Sequence, residues 1–195
     1  MGERDTSFAR LVTLAAHDLR TPLATIHGFA QTLVRAGDLE APNDRYVEMI
    51  ATASSQLAEL LDELGLAARI EGARYEPNLQ PANTLELARG VAAKLGDDRV
   101  RVDVDGGEVR VDVDAVQRGL SALAQCALRH GGLELIDLHA TERAVTIRPV
   151  TPASGPVLLG DDLRDLGAAV AVRLIRALGG SVTLDGDAAV VRLPT

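Results

Sequence analysis

A histidine and an aspartate lie side by side near the start of the chain. They are His17 and Asp18, and Thr21 and Pro22 follow within the next turn of a helical pattern. A neutral imidazole nitrogen can attack a phosphoryl group, and a neighbouring carboxylate that accepts the other ring proton fixes the tautomer and raises the nucleophilicity. A hydroxyl four residues further on lies on the same helical face and can hydrogen-bond a water molecule or a phosphoryl oxygen. These residues predict phosphoryl chemistry at His17.

The apolar residues around this group repeat with gaps of three and four. They are Phe8, Val12, Ala15, Leu19, Pro22, Ile26, Phe29 and Leu33. This spacing predicts a helix from about Asp5, a candidate cap, to Ala36, with one stripe buried in a coiled coil or four-helix bundle. His17 lies off that stripe, so we expect it to face solvent. Pro22 lacks an N–H group and is expected to kink the helix beside it.

A second helix with the same spacing follows a polar turn. Asn43 or Asp44 can cap it. Its apolar positions are Val47, Ile50, Ser54, Leu57, Leu61, Leu64 and Ala68. Two such helices predict an antiparallel hairpin. Because one hairpin cannot bury a two-sided stripe, we predict that two copies pair into a four-helix bundle. The alternative is packing of the hairpin onto the C-terminal part of its own chain.

The segment His17-Asp18-Leu19-Arg20-Thr21-Pro22-Leu23 resembles the H-box of sensor histidine kinases. The resemblance implies that His17 is the phosphoacceptor and Asp18 its general base. It implies that Thr21 assists dephosphorylation of a partner response regulator, with Arg20 and Pro22 in supporting positions. Residues 1–75 are accordingly predicted to form a dimerisation and histidine phosphotransfer domain.

The composition changes near residue 76, where short alternating runs replace the heptads. Helices are predicted over residues 85–95, 114–130 and 162–178, the first capped by Asn83 or Thr84. Strands are predicted over residues 100–104, 108–111, 133–140, 144–148, 181–184 and 189–193. Asp105-Gly106-Gly107 predicts a turn that joins the first two strands. The predicted fold class is α+β, with a helical hairpin followed by a two-layer α/β sandwich of mostly antiparallel strands over residues 76–195.

This second part resembles the ATP-binding domain of histidine kinases. The run from Val111 to His130 is similar to the helix that carries the family's N-box. The run from Leu166 to Gly180 is similar to its second glycine box and the helix that follows. The resemblance implies that the fold of the ATP-binding domain is retained.

Several residues depart from the nucleotide-binding pattern of that family. Ala122 and Cys126 occupy positions of two asparagines, the second of which would coordinate magnesium, and Asp165 occupies that of a glycine beside the phosphates. Residues 149–155 contain no aspartate for an adenine, and residues 156–164 are short for a nucleotide lid. We therefore predict a degenerate domain without ATP-dependent autophosphorylation. No cofactor and no metal are predicted for this chain, although magnesium on a partner receiver domain is possible.

The amino-acid composition further narrows the class of protein. Of the residues, 47% are hydrophobic, the net charge is −8 and there is one cysteine. These values argue against disorder, general nucleic-acid binding, a disulfide and a cysteine-rich metal site. Without a membrane-spanning apolar run or a signal-peptide core, a cytoplasmic protein without a sensor of its own is expected.

The remaining histidines and the cysteine are assigned structural roles. His27 is expected on the flank of the bundle, His130 and His139 are not expected to share a site, and Cys126 is expected to be a small core residue. The alternating Asp-Val runs near Asp103 are typical of strands that have one face exposed to solvent.

Together these features predict a histidine phosphotransferase of a two-component phosphorelay. His17 would carry phosphoryl groups between receiver-domain aspartates, and the predicted partners are response-regulator receiver domains and a second copy of the chain. One alternative is a response-regulator phosphatase or pseudokinase regulator, in which Thr21 and Asp18 position water. Another is a non-catalytic dimeric adaptor.

Overall fold

The structure is a computed structural model that describes residues 2–37, 39–103 and 105–194; for residues 2–8, 10 and 11 it describes the backbone alone. The chain divides into two compact units, residues 1–75 and 76–195. The division falls where the heptad spacing of the sequence ends. Among the described residues, no helix combines the length and the apolar composition that spanning a bilayer requires.

The first unit is a hairpin of two long helices, α1 (Gly2–Ala36) and α2 (Asn43–Glu71). The predicted start of α1 at Asp5 is wrong, because the helix begins at Gly2; the side chain of Asp5 lies outside the described residues, as does that of Phe8. The predicted cap of α2 is also wrong. Pro42 occupies the capping position and makes no side-chain hydrogen bond to the helix.

The stripe of α1 that packs against α2 lies beside the predicted one. Its buried side chains are Ala9, Ala16, Leu23 and Ala30. Each follows a predicted position by one residue, which rotates the contact face by about 100°. The bulky residues of the predicted stripe are exposed to solvent in a single copy of the chain: Leu19, Ile26, Phe29 and Leu33. The sequence pattern did not distinguish the two because small alanines, which let helices approach closely, carry the contact inside the hairpin.

The second unit contains two sheets and four helices in the described residues. Its elements in chain order are β1 (Gln80–Asn83), α3 (Thr84–Leu95), β2 (Val100–Val102), β3 (Glu108–Val111), α4 (Val113–Gly131), β4 (Ile136–Ala140), β5 (Ala144–Arg148), α5 (Gly155–Leu158), α6 (Leu166–Ala177), β6 (Ser181–Asp185) and β7 (Ala188–Arg192). The main sheet has the order β2-β4-β5-β7-β6, and β1 pairs with β3 in a separate sheet. Only β2 and β4 are parallel among these pairs.

The helices α3, α4 and α6 cover one face of the main sheet. Alternate strand residues point toward them and are buried: Ile136, Leu138, Val145, Ile147, Ala189 and Val191. From the helices, Leu87, Leu123 and Ile175 complete this core. The chain thus consists of a helical hairpin followed by an α/β unit with a mixed sheet. This architecture confirms the fold class predicted for a single chain.

The predicted turn between β2 and β3 is wrong, because these strands join different sheets. The Gly106-Gly107 loop instead docks on the start of α3, where Thr84 donates its backbone N–H to the carbonyl of Gly107 at 3.0 Å. A Cβ on Gly107 would lie 2.4 Å from Cα of Glu142, so this approach requires glycine. Val104, the predicted end of the first strand, lies outside the described residues.

Other predicted bounds are wrong for local reasons. Strand β1 was missed because Pro81 argues against a strand, although proline is tolerated at a sheet edge. The sequence also missed α5. The helix predicted from Asp162 begins at Leu166, because Asp165 caps it, and the strand predicted from Leu133 begins at Ile136. Asn83 caps α3 by accepting a hydrogen bond from the N–H of Leu85, as one of the two predicted possibilities.

Candidate functional site

His17 and Asp18 lie on the exposed surface of α1 and contact each other. Nδ1 of His17 is 3.2 Å from Oδ1 of Asp18, and 75% and 67% of the two side chains are exposed. In the tautomer that carries its proton on Nδ1, His17 donates this hydrogen bond to Asp18 and Nε2 keeps its lone pair. The arrangement therefore offers an accessible nucleophilic nitrogen on an oriented ring.

The neighbouring face of α1 is held against α2, which turns His17 outward. Ala16 is buried, and a Cβ placed on Gly65 of α2 would be only 3.9 Å from Cβ of Ala16. One turn beyond His17, Nη2 of Arg20 donates to Oδ1 of Asp62 at 2.6 Å. Asp62 was not predicted as a site residue, because its pairing with Arg20 depends on how the two helices align.

Thr21 and Pro22 complete the segment. Thr21 is exposed one turn from His17, and its carbonyl accepts a hydrogen bond from Oγ1 of Thr25 at 3.2 Å. Helix α1 continues through Pro22, which has no N–H to donate to the carbonyl of Asp18. The structure thus brings the five predicted residues into one exposed segment, whereas their roles stay predictions.

The second unit carries another histidine–aspartate pair, formed by His130 of α4 and Asp165 at the start of α6. Nε2 of His130 is 3.1 Å from Oδ2 of Asp165, and Nη1 of Arg129 is 3.5 Å from the same oxygen. The other oxygen, Oδ1, accepts a hydrogen bond from the N–H of Ala168 at 3.0 Å. The N-terminus of α6 is therefore already capped by a carboxylate of the chain, at a place where helix termini commonly bind phosphate.

Cys126 lies against this pair and is fully buried. Burial, and to a lesser degree the charge of Asp165, raises the pKa of its thiol to about 12, against the opposing effect of Arg129. A protonated thiol is a poor ligand for a hard cation such as magnesium, and the methyl group of Ala122 offers no ligand at all. These residues do not fit a magnesium nucleotide.

The sequence did not predict this three-residue cluster. Ligand atoms of Cys126, His130 and Asp165 all lie within 4.8 Å of one another. Part of the signal is present in the sequence, since Cys126 and His130 lie four apart on one helix face and Asp165 is an acid at the position of a family glycine. What the sequence could not provide was the packing of α6 beside the end of α4.

The other histidines are also paired. His27 lies between the two helices of the hairpin, where its Nδ1 is 3.1 Å from Oγ of Ser54 and 3.2 Å from the carbonyl oxygen of Ala51. The structure therefore places His27 at the contact between α1 and α2 and not on the predicted flank. His139 pairs with Asp103 on the open face of the sheet, with Nδ1 and Oδ2 3.1 Å apart.

Comparisons with known proteins agree with this architecture. Residues 9–73 match the family model of the His Kinase A (phospho-acceptor) domain. The histidine protein kinase DivJ of Caulobacter vibrioides is 29% identical over 176 residues, which cover 82% of this chain and 28% of DivJ. The uncharacterized sensor-like histidine kinase R01002 of Rhizobium meliloti is 28% identical over 172 residues, which cover 81% of this chain and 32% of that protein. The chain thus spans about a third or less of the length of these curated relatives.

Among solved structures, full-length ShkA in complex with AMPPNP superposes with a TM-score of 0.70 and 22% identity, covering 93% of this chain and 44% of ShkA. At this identity the similarity shows the fold. The chain therefore has a sensor histidine kinase-like core, in which a helical hairpin that matches the His Kinase A domain model precedes a unit with the fold of a histidine kinase ATP-binding domain. Its relatives form a family of phosphotransferase-type enzymes.

Proposed function

We propose that this protein is a histidine phosphotransferase that passes phosphoryl groups between receiver-domain aspartates through His17, without phosphorylating itself from ATP. The observation that carries the proposal is the exposed His17 ring with Nδ1 against Asp18, which leaves Nε2 accessible to a large partner. A phosphoryl donor on another protein needs such an exposed acceptor.

The transfer is a displacement at phosphorus. Nε2 of His17 attacks the acyl phosphate of a receiver aspartate, the N–P bond forms, and the P–O bond breaks to release the receiver carboxylate. Asp18 accepts the Nδ1 proton in a hydrogen bond and stabilises the positive charge that develops on the ring. Attack by the carboxylate of a second receiver on the phosphohistidine reverses these changes and restores His17.

The second unit supports the absence of an ATP-driven step. Asp165 caps α6 with one oxygen and faces His130 with the other, so a phosphate approaching this terminus would meet a carboxylate. Repulsion between the two anions in a partly buried site opposes binding. A docking role for this unit toward receiver domains is compatible with that loss.

The hairpin supports homodimerisation, which histidine kinases with this phospho-acceptor domain share. Large apolar side chains remain exposed on both helices, including Ile26 and Phe29 of α1 and Ile50 and Leu57 of α2. Large exposed apolar side chains on both helices are typical of an interaction surface. Pairing of two hairpins into a four-helix bundle would cover it.

Thr21 supports a second candidate, a response-regulator phosphatase. Its hydroxyl lies on an exposed turn four residues from His17, where it could orient a water molecule toward the acyl phosphate of a bound receiver. Both candidates require a receiver domain to bind beside His17, and they differ in the nucleophile that attacks its acyl phosphate. Phosphohistidine forms in the first, and inorganic phosphate is released directly in the second.

The test is incubation of the chain with a receiver domain that carries labelled phosphate. Phosphotransfer predicts label on His17, located by mass spectrometry under neutral to alkaline conditions, and its later movement to a second receiver. His17→Ala should abolish the label, whereas the matched control His139→Ala should retain it. Loss of receiver phosphate without a labelled chain would favour the phosphatase, and autophosphorylation from labelled ATP would refute the proposed loss of the nucleotide step.

A further inference from the structure

Three side chains of different chemistry converge where the end of α4 meets the start of α6. Cys126 and His130 are four residues apart on α4 and share one face of that helix. Asp165 precedes the first residue of α6. The thiol, imidazole and carboxylate ligand atoms lie within 4.8 Å of one another.

The surrounding structure holds this cluster in place. Helices α4 and α6 approach closely, since a Cβ on Gly119 would be 3.7 Å from Cβ of Ala171. Capping of α6 engages Oδ1 of Asp165 and leaves Oδ2 directed at His130. The site is also largely shielded from solvent: Cys126 is buried, and only 19% of the His130 side chain and 9% of the Asp165 side chain are exposed.

We propose that Cys126, His130 and Asp165 bind a zinc ion. One sulfur, one nitrogen and one oxygen ligand suit a borderline-soft divalent ion such as zinc rather than magnesium or calcium. Three protein ligands leave the fourth tetrahedral position to water or another ligand. On binding, the Cys126 thiol releases its proton to solvent, and the thiolate and carboxylate together balance the charge of the ion. Arg129, whose side chain is mostly exposed, then leaves Asp165 for solvent.

The competing explanation is a structural ion pair between His130 and Asp165 with an inert thiol beside it. The chain contains a matched pair that separates the two explanations. His139 and Asp103 lie at the same 3.1 Å distance, on the open face of the sheet, and they are not part of the Cys126 cluster. A site that requires the thiol must distinguish these two pairs, whereas adventitious binding to surface histidines would not.

The experiment titrates the chelator-treated full chain with cobalt, a spectroscopic substitute for zinc, and then displaces the cobalt with zinc. We expect about one cobalt per chain, tetrahedral visible bands and a thiolate-to-cobalt absorption in the near ultraviolet. Cys126→Ser should remove the thiolate band. His130→Ala and Asp165→Asn should each weaken binding by more than the roughly 10- to 100-fold typical of losing an outer-shell partner. Asparagine keeps the helix cap, so its effect reports on the ligand.

The control variants His139→Ala and Asp103→Asn should bind as the wild type does, and His17→Ala should as well, because the proposed metal site is independent of phosphotransfer. Circular dichroism checks that each variant is folded; if Cys126→Ser does not fold, the variants at His130 and Asp165 decide the test. Failure of the wild type to bind cobalt or zinc at stoichiometric concentrations would overturn the proposal. So would binding that survives all three ligand substitutions, or that disappears in His139→Ala.

Discussion

The two units each contain a histidine that faces an aspartate at nearly the same distance, in opposite surroundings. The His17–Asp18 pair, at 3.2 Å, lies in solvent on a helix flank, whereas the His130–Asp165 pair, at 3.1 Å, is largely buried between two helices. The first leaves a ring nitrogen open to a partner protein. In the second pair, one oxygen of Asp165 faces the His130 ring and the other caps the N-terminus of α6. The same two side chains therefore form an exposed pair in one unit and a largely buried pair in the other.

The cores of the two units differ in a related way. The hairpin buries mainly alanines at its helix contact and leaves Ile26 and Phe29 exposed, whereas the α/β unit buries several leucines and isoleucines completely. Burial of a large apolar side chain contributes roughly 1.5–3 kcal/mol. We therefore expect the second unit to be stable by itself and the hairpin to depend on a further surface.

The largest effect is expected for His17→Ala, which should reduce labelling from a phosphorylated receiver to background because it removes the nucleophile. Since the side chain is 75% exposed, helicity and the unfolding temperature should change little. Comparison with His130→Ala sharpens the contrast between the pairs. That variant should still be labelled, and equal loss in both would show that the exposed pair is not the acceptor.

Asp18→Asn should slow transfer to His17 by roughly 10²- to 10⁴-fold, the range typical of a general acid or base. The amide keeps the size of the side chain but has no negative charge to stabilise the positive charge that develops on the His17 ring. Stopped reactions sampled over time with a phosphorylated receiver give the rate. Asp103→Asn is the matched control, since its aspartate also faces a histidine at 3.1 Å. An unchanged rate in Asp18→Asn would leave Asp18 without a catalytic role.

Leu123→Ala in α4 should destabilise the α/β unit by about 2–5 kcal/mol, because it opens a cavity in a fully buried core. Leu19→Ala removes the same atoms from the surface of α1 and should have little effect on unfolding of the monomer. Its effect should appear instead in the dissociation of the dimer. Urea unfolding followed by circular dichroism, and sedimentation at several protein concentrations, measure the two. If Leu19→Ala destabilised the monomer as much as Leu123→Ala, the face of α1 that carries Leu19 would be buried within the monomer.

The sequence predicted the features that depend on local order. The cap of α3, narrowed to Asn83 or Thr84, the β4–β5 hairpin and the helical segment around His17 follow from residues near one another in the chain. The alanine stripe by which α1 packs on α2 was not predicted, because a helix with two apolar faces does not indicate which partner takes which face. The β2–β3 turn was wrong because Gly107 was needed for close packing against Glu142, far away in sequence. The Cys126 cluster was missed for the same reason, since it depends on where α6 begins and packs.

Asp165→Ala should cost about 0.5–2 kcal/mol of stability, the usual range for losing a helix cap. Asp165→Asn should cost less, because the amide oxygen can still accept from the N–H of Ala168. Thermal unfolding of the two variants, after removal of divalent metals, measures the difference. If the asparagine variant were the less stable one, the charge facing His130 and Arg129 would matter more than the cap.

The smallest effect concerns the ion pair between Arg20 and Asp62, which joins the two helices one turn beyond His17. Both side chains are about half exposed, so solvent screens the 2.6 Å contact and the coupling should be about 0.2–1 kcal/mol. A double-mutant cycle with Arg20→Met and Asp62→Asn isolates this coupling. The same four proteins, assayed for transfer from a phosphorylated receiver, show whether the pair also positions the helix face that carries His17. A rate change much larger in Arg20→Met than in Asp62→Asn would mean that Arg20 contacts the phosphoryl group or the receiver, and that its partner in the reaction is not Asp62.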